Sequence, residues 1–303
     1  MVKTAVKIGN LLLKNPVIAA SGTFGFGHEM EKWNDLSELG GICSKGLTEN
    51  PRLGNDPPRV AETAGGMLNS VGLQNPGLAA FIQVELPYMK TLGPSIIANI
   101  AGHSLAENVR MAEQLDATSV DAIELNLSCP NVSEGCMAFG SSAAMIAAVV
   151  SAVRTKTKKP LWVKLTPNVT SITEMAQAAE AAGADAISLI NTLMGLAVDR
   201  RTRRPVLRNN TGGLSGPAIK PVALRMVLEA YQAVHIPIIG MGGIFSGEDA
   251  IEFLLAGASA IQVGTANLIR PTACHDILTE MMSLAETEQM TELSAYTGQL
   301  QLW

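Results

Sequence analysis

Short apolar runs rich in Val and Ile recur along the chain, and each is followed by a stretch with helical spacing. The runs are NPVIAASG (15–22), GGICSKG (40–46), PSIIANIAG (94–102), DAIELNLS (121–128), PLWVKLTP (160–167), DAISLINT (185–192), PIIGMGG (237–243) and SAIQVGTAN (259–267). Runs that are apolar on both faces fit a parallel sheet covered on both sides. Between them the spacing predicts helices over 104–117, 141–157, 171–182, 218–233 and 247–256. Several open on a Ser that can cap the first free N–H groups. Gly183 in AAGAD and Gly257 in LAGAS stand where a helix would stop. Eight such units in about 250 residues predict an α/β fold, a (β/α)8 TIM barrel. The rival, an open doubly wound sheet, usually carries G-x-G-x-x-G after its first strand, and that spacing occurs nowhere here.

Two stretches exceed ordinary loops, 47–76 and 193–215. Long insertions at βα connections lie on the face where barrel active sites form. The opening residues VKTAVKIGNLLLKNPV alternate enough to predict a small hairpin across the bottom of the barrel. No low-complexity tract or linker divides the chain, so the expectation is one barrel domain over 1–303.

Composition narrows the function classes. Nearly half of the 303 residues are hydrophobic, aromatics are scarce, and the formal net charge is −5. That charge argues against a general nucleic-acid or membrane-surface role. The first residues lack the apolar core of a signal peptide, and the most apolar helical stretch, 143–153, is too short to span a bilayer. The four cysteines (Cys43, Cys129, Cys136, Cys274) form no C-x-x-C pair, which argues against a zinc site or a Cys-ligated cluster. A reduced cytoplasmic protein is the expectation.

The C-terminal ends of the strands supply the candidate chemistry: Ser21, Lys45, Asn99, Asn126, Ser128, Cys129, Lys164, Asn191, Thr192, Gly242, Gly243, Gly264 and Thr265, with Asn69 and Asn131 in adjoining loops. In a barrel these converge on one pocket. A carboxamide both donates and accepts, so an Asn-rich pocket suits a ring that presents N–H and C=O. The bland alternative is that each Asn stabilises a turn; five on one face argue against that alone. Lys45 and Lys164 suit a charge clamp or a Schiff-base nucleophile, against the alternative of snorkelling surface lysines. The bare amides of Gly242–Gly243 and Gly264–Thr265 follow strands seven and eight, where barrels commonly bind a phosphate.

Cys129 is the most pointed of these residues. None of the four histidines (His28, His103, His235, His275) falls at a strand end, and Asp and Glu are missing from the set. A thiolate is then the available general base, helped by donors such as Ser128, Asn131 and the two lysines. The alternative is a buried inert thiol, the expected state of Cys43. Pro130 ends the strand, and NVSEGCMAFG reads as a loop able to close over a substrate, with Cys136 incidental.

The segments ASGTFGFG, SKGLTENPRLGNDPPRV, GMLNSVGLQNPG, IANIAG, ELNLSCPNV, WVKLTPNVT, INTLMG, GGLSGPAIKP, IPIIGMGGIFSGEDA and IQVGTAN carry a resemblance over essentially the whole length. The chain resembles the class 1 dihydroorotate dehydrogenases, most closely the B type, the catalytic subunit of a two-protein enzyme. The resemblance implies one FMN per chain and oxidation of dihydroorotate to orotate in pyrimidine synthesis. It implies that Cys129 removes the C5 proton while a hydride passes from C6 to the flavin. Lys45, Asn69, Ser70, Val71, Gly72, Leu73, Asn126, Asn131, Asn191 and Thr192 would hold the substrate. Ser21, Lys45, Gly46, Asn99, Asn126, Lys164, Ile190, Gly216, Gly242, Gly243, Gly264 and Thr265 would hold FMN.

The resemblance also bears on where the electrons go. The chain carries no dinucleotide fingerprint or cysteine cluster, and the barrel begins almost at once, which disfavours the membrane-bound class with its N-terminal extension. In the B type a partner carrying FAD and an iron–sulfur cluster passes electrons to NAD, and a homodimer of catalytic subunits within a heterotetramer is implied. The A type uses fumarate instead. The rivals are another flavin-dependent dihydropyrimidine oxidoreductase, a Schiff-base aldolase using Lys164, and a catalytically silent binding subunit. The segment DRRTRRPVLR (199–208) holds five arginines and reads as an interface patch, an electrostatic guide or simply a solvated loop.

Overall fold

The computed structural model describes residues 2–127 and 139–303. Sixteen strands are present among them: β1 (Val6–Ile8), β2 (Leu11–Leu13), β3 (Val17–Ala19), β4 (Gly41–Cys43), β5 (Val60–Thr63), β6 (Gly66–Asn69), β7 (Ser95–Ile100), β8 (Ala122–Asn126), β9 (Leu161–Lys164), β10 (Ala186–Leu189), β11 (Leu193–Gly195), β12 (Val198–Asp199), β13 (Arg204–Pro205), β14 (Gly212–Ser215), β15 (Ile238–Met241) and β16 (Ala258–Val263). Eight of them, in the order β3-β4-β7-β8-β9-β10-β15-β16, close into a parallel barrel. They are the eight runs that the hydrophobic pattern singles out.

Alternation along each barrel strand builds the interior in layers. Ile18, Ile97, Ala122, Trp162, Ala186, Ile239 and Ala260 form an apolar layer sealed from solvent. The antiparallel hairpin β1–β2 closes this layer from below, adding Ile8 and Leu13, both fully buried. A second, larger core lies between the outer faces of the strands and the helices.

The helices Leu105–Asp116, Ile172–Ala181 and Gly247–Leu255 are capped by Ser104, Ser171 and Ser246, the first two as the spacing predicts. Gly183 and Gly257 follow two of these helices with φ of +100° and +114°, a conformation an L side chain rarely adopts. The helix expected over 141–157 is shorter, Ala143–Arg154. Its cap is Ser142, which accepts from the Met145 amide, and past its end the Thr157 hydroxyl leaves to donate to Asp116. Lys220–Ala233 is preceded by a 3-10 turn over Pro217–Ile219. Two further helices, Leu86–Thr91 and Ala273–Thr287, lie outside the predicted set.

The two long insertions meet each other. β5 and β6 from the first, and β11 and β14 from the second, form an antiparallel sheet in the order β11-β14-β6-β5, with Asn69 opposite Gly213. The arginine-rich segment forms the small hairpin β12–β13, whose Arg200, Arg201, Arg203 and Arg204 are exposed. Asp199 accepts from the amides of Arg201 and Thr202 at its turn, and these bonds hold the Asp199 carboxyl below the usual range. None of the described helices is long and apolar enough to cross a membrane.

Candidate active site

The C-terminal ends of the barrel strands and the insertion sheet enclose a cavity of about 370 Å³, within the size range of small-molecule sites. It is lined by Ser21, Lys45, Gly46, Asn69, Val71, Gly72, Leu73, Asn126, Lys164, Ile190, Asn191, Thr192, Gly216, Gly242, Gly243, Gly264 and Thr265. Seventeen of the residues expected from the sequence thus share one wall-to-wall space. Ser70 and Asn99 stand behind that wall. Ser70 is buried and its hydroxyl and carbonyl oxygens accept from the Asn55 amide. Asn99 is fully buried, with its Oδ1 about 3.1 Å from where a Cβ on Gly46 would sit. Cys129, Asn131 and Ser128 lie outside the described residues.

The pairing register explains the convergence. Asn126 on β8 lies opposite Lys164 on β9, and Lys164 lies opposite Ser188 on β10. Asn99 on β7 lies opposite Glu124 on β8. One polar layer therefore sits directly above the apolar layer of the barrel. Its centre is Glu124, a carboxylate with no solvent exposure. Oε1 accepts from Asn99 Nδ2 at 2.6 Å and from Cys43 Sγ at 3.3 Å. Oε2 accepts from Gln262 Nε2 at 2.6 Å and from Ser188 Oγ at 2.9 Å. The Lys164 ammonium stands 4.0 Å from Glu124 Oε1 and donates to Ser21 Oγ at 3.4 Å. Burial, then the neighbouring Glu124 charge, pushes the Cys43 thiol well above its ordinary range, so Cys43 is the inert neutral donor the sequence suggests.

Among the described residues no Asp or Glu lines the cavity, as expected, but Glu124 sets a carboxylate directly behind its wall, which the strand-end reading does not include. Reading only the last residue of each strand overlooks the inward position two residues earlier. The same two-residue step from Gly264 and Ile190 reaches Gln262 and Ser188. Gln262 lines the cavity itself. Asn168, also outside the predicted set, braces the far wall by donating to the Thr192 carbonyl at 3.1 Å and accepting from the Met194 amide at 3.0 Å.

One end of the cavity is walled by backbone. Gly242 and Gly243 have φ of +122° and +80°, and a Cβ on Gly243 would stand 2.8 Å from Lys220 Cβ. Only glycine leaves this backbone both relaxed and open to a ligand. Gly264 and Thr265 flank it, and Thr265 Oγ1 donates to Ser215 Oγ at 2.8 Å. A second, more open cavity adjoins the first and shares Lys45 and Gln74 with it; His28 and Arg52 line it.

Comparison with known proteins agrees with this geometry. A profile of the family described as "Dihydroorotate dehydrogenase" matches residues 3–284. A protein of Trichlorobacter lovleyi is 52% identical over 298 residues, covering 98% of each chain. One of Bacillus pumilus is 55% identical over 277 residues, covering 91% of this chain and 89% of its own. A third, of Geobacillus sp., is 52% identical over 299 residues, covering 98% and 96%. Each of the three bears the name "Dihydroorotate dehydrogenase B (NAD(+)), catalytic subunit". A barrel with this cavity, matched over nearly its whole length, belongs to the dihydroorotate dehydrogenase family.

Proposed function

We propose that this chain is the catalytic subunit of an NAD-linked dihydroorotate dehydrogenase that oxidises (S)-dihydroorotate to orotate in de novo pyrimidine synthesis. The observation that carries the reading is the cavity at the barrel mouth, where Asn and Lys side chains of the family's motifs meet a glycine-walled end. The 52–55% identity to proteins of that name supports the B type over the fumarate-dependent A type.

The donor and acceptor set fits FMN. Asn99 Oδ1 and Gln262 Oε1 are buried and accept no hydrogen bond among the described residues. Partnerless buried acceptors call for a ligand that brings N–H groups, as the pyrimidine edge of an isoalloxazine does. Gly242, Gly243, Gly264 and Thr265 would hold its phosphate through backbone amides. Lys164 would face the N1–C2=O edge, where reduction places negative charge. Ser21, Gly46, Ile190 and Gly216 would complete its site. Bound FMN supplies a two-electron acceptor for the hydrogen that leaves C6.

The chain's own residues would do the rest. Asn69, Asn126, Asn131 and Asn191 read the N–H and C=O groups of the dihydropyrimidine, while Lys45 balances its carboxylate. Ser70, Val71, Gly72, Leu73 and Thr192 shape the wall around it. Cys129, as thiolate, would take the C5 proton, so that loss of C5–H to the thiolate and of C6–H as hydride leaves the C5=C6 bond.

Electrons would leave through a partner that carries FAD and an iron–sulfur cluster, in a heterotetramer built on a homodimer of this one-domain chain in the cytoplasm. The test is turnover with defined acceptors. Dihydroorotate is expected to drive NAD reduction only when the chain is combined with such a partner. Robust fumarate-dependent turnover by the chain alone would contradict the B-type reading.

A further inference from the structure

We propose that Glu124 is a positioning residue that sets how strongly the Lys164 ammonium acts on FMN and fixes which amide atom Gln262 presents to it, with Asn99 held the same way behind the wall. This inference rests on the FMN reading above.

A carboxylate only accepts hydrogen bonds, and Glu124 accepts four. Asn99 and Gln262 must therefore aim their NH₂ groups at Glu124, which leaves Asn99 Oδ1 and Gln262 Oε1 as their free atoms. Both are buried and accept no hydrogen bond among the described residues; Gln262 lines the cavity, and Asn99 stands behind its wall at Gly46. An uncharged amide at position 124 would let either side chain turn over. The carboxylate thus decides which polar atom the ligand meets.

Its charge has a second effect. Lys164 is 5% exposed and lines the cavity, with Glu124 fully buried 4.0 Å away. A buried cation partly neutralised from below attracts charge above it less strongly than a lone one. Negative charge that develops on FMN on reduction is then held back by Glu124 and drawn on by Lys164. Ser188, which donates to the carboxylate at 2.9 Å, moderates this balance.

The direction follows for each variant. In Glu124→Gln the ammonium acts undiluted, so the reduced cofactor is favoured. Sulfite, which adds to the oxidised flavin and leaves it negatively charged, is the probe. Its dissociation constant is expected to fall at least about tenfold, with the FMN midpoint potential about 30 mV higher, the equivalent of tenfold for a two-electron couple. Ser188→Ala strips one donor from the carboxylate and exposes more of its charge. Sulfite is then expected to bind about twofold or more weakly. A purely structural anchor would lower stability in both variants without moving these two quantities in opposite directions.

The measurements use the purified FMN-loaded chain. A wild-type protein that cannot be loaded with FMN removes the cofactor reading and this inference with it. A wild-type protein that binds FMN, with Glu124→Gln matching it in sulfite affinity and potential, overturns the role of Glu124 alone. Should Glu124→Gln fail to fold, Ser188→Ala decides: weaker sulfite binding supports the role, and unchanged or tighter binding overturns it.

Discussion

At the scale of the residue, the site is a division of labour between two cations, Lys45 and Lys164, one buried carboxylate and a set of carboxamides. Lys164 touches the cavity, Glu124 stands behind it, and Asn99 and Gln262 donate to Glu124 while keeping their amide oxygens free. The thiol of the SCPN motif is assigned the proton transfer. Cys129→Ser is expected to retain flavin and orotate binding while slowing flavin reduction at neutral pH by at least about 10²-fold, because an alcohol is a far poorer base. Stopped-flow reduction under anaerobic conditions measures this, and near-normal rates would remove Cys129 from its role. Much of this set is legible in the sequence, since polar residues at the ends of apolar strands have few other reasons to be there. Glu124 is not legible by that rule. It lies one pleat deeper, where an isolated acid in an apolar run is noticeable only if the strand's alternation is followed inward.

At the scale of the element, the hairpin and the capped helices hold the barrel in shape. Leu13 is fully buried in the layer that the hairpin β1–β2 closes. Leu13→Ala is expected to cost about 2–5 kcal/mol, read from chemical denaturation, with the cavity chemistry intact in the folded fraction. The start of Gly247–Leu255 gives a pH dependence. Burial alone would raise the Asp249 carboxyl, but it is outweighed by the Lys220 ammonium at 2.6 Å, the Phe245 amide and the Ser246 side chain. The net shift is downward from 3.8. A lowered folded value means the stabilisation is complete above the ordinary carboxylate range and is lost as pH falls through the folded value. Denaturation midpoints are expected to fall between about pH 5 and pH 2, less steeply in Asp249→Asn; equal slopes would contradict this. The helix starts were readable from Ser and two of the stops from Gly. The pairing of β6 with β14 was not, because strands from insertions 144 residues apart (Asn69 and Gly213) carry no periodic sign of each other.

At the scale of the whole molecule, the closed barrel turns eight separate strand ends into one rim. Register then fixes which ends face each other, so Lys164 meets Asn126 and Ser188. The fold class was legible because eight apolar runs with helical spacing between them leave few other solutions. The insertion sheet then narrows the open mouth to a cavity of ligand size, lined from both sides. The measurement that tests the central claim most directly is an anaerobic titration of the FMN-loaded chain with dihydroorotate, followed by absorbance. The visible flavin bands are expected to bleach in proportion to substrate, up to one equivalent per chain, with orotate as the product. A chain that takes up no flavin, or a bound flavin that stays oxidised with substrate in excess, would contradict it.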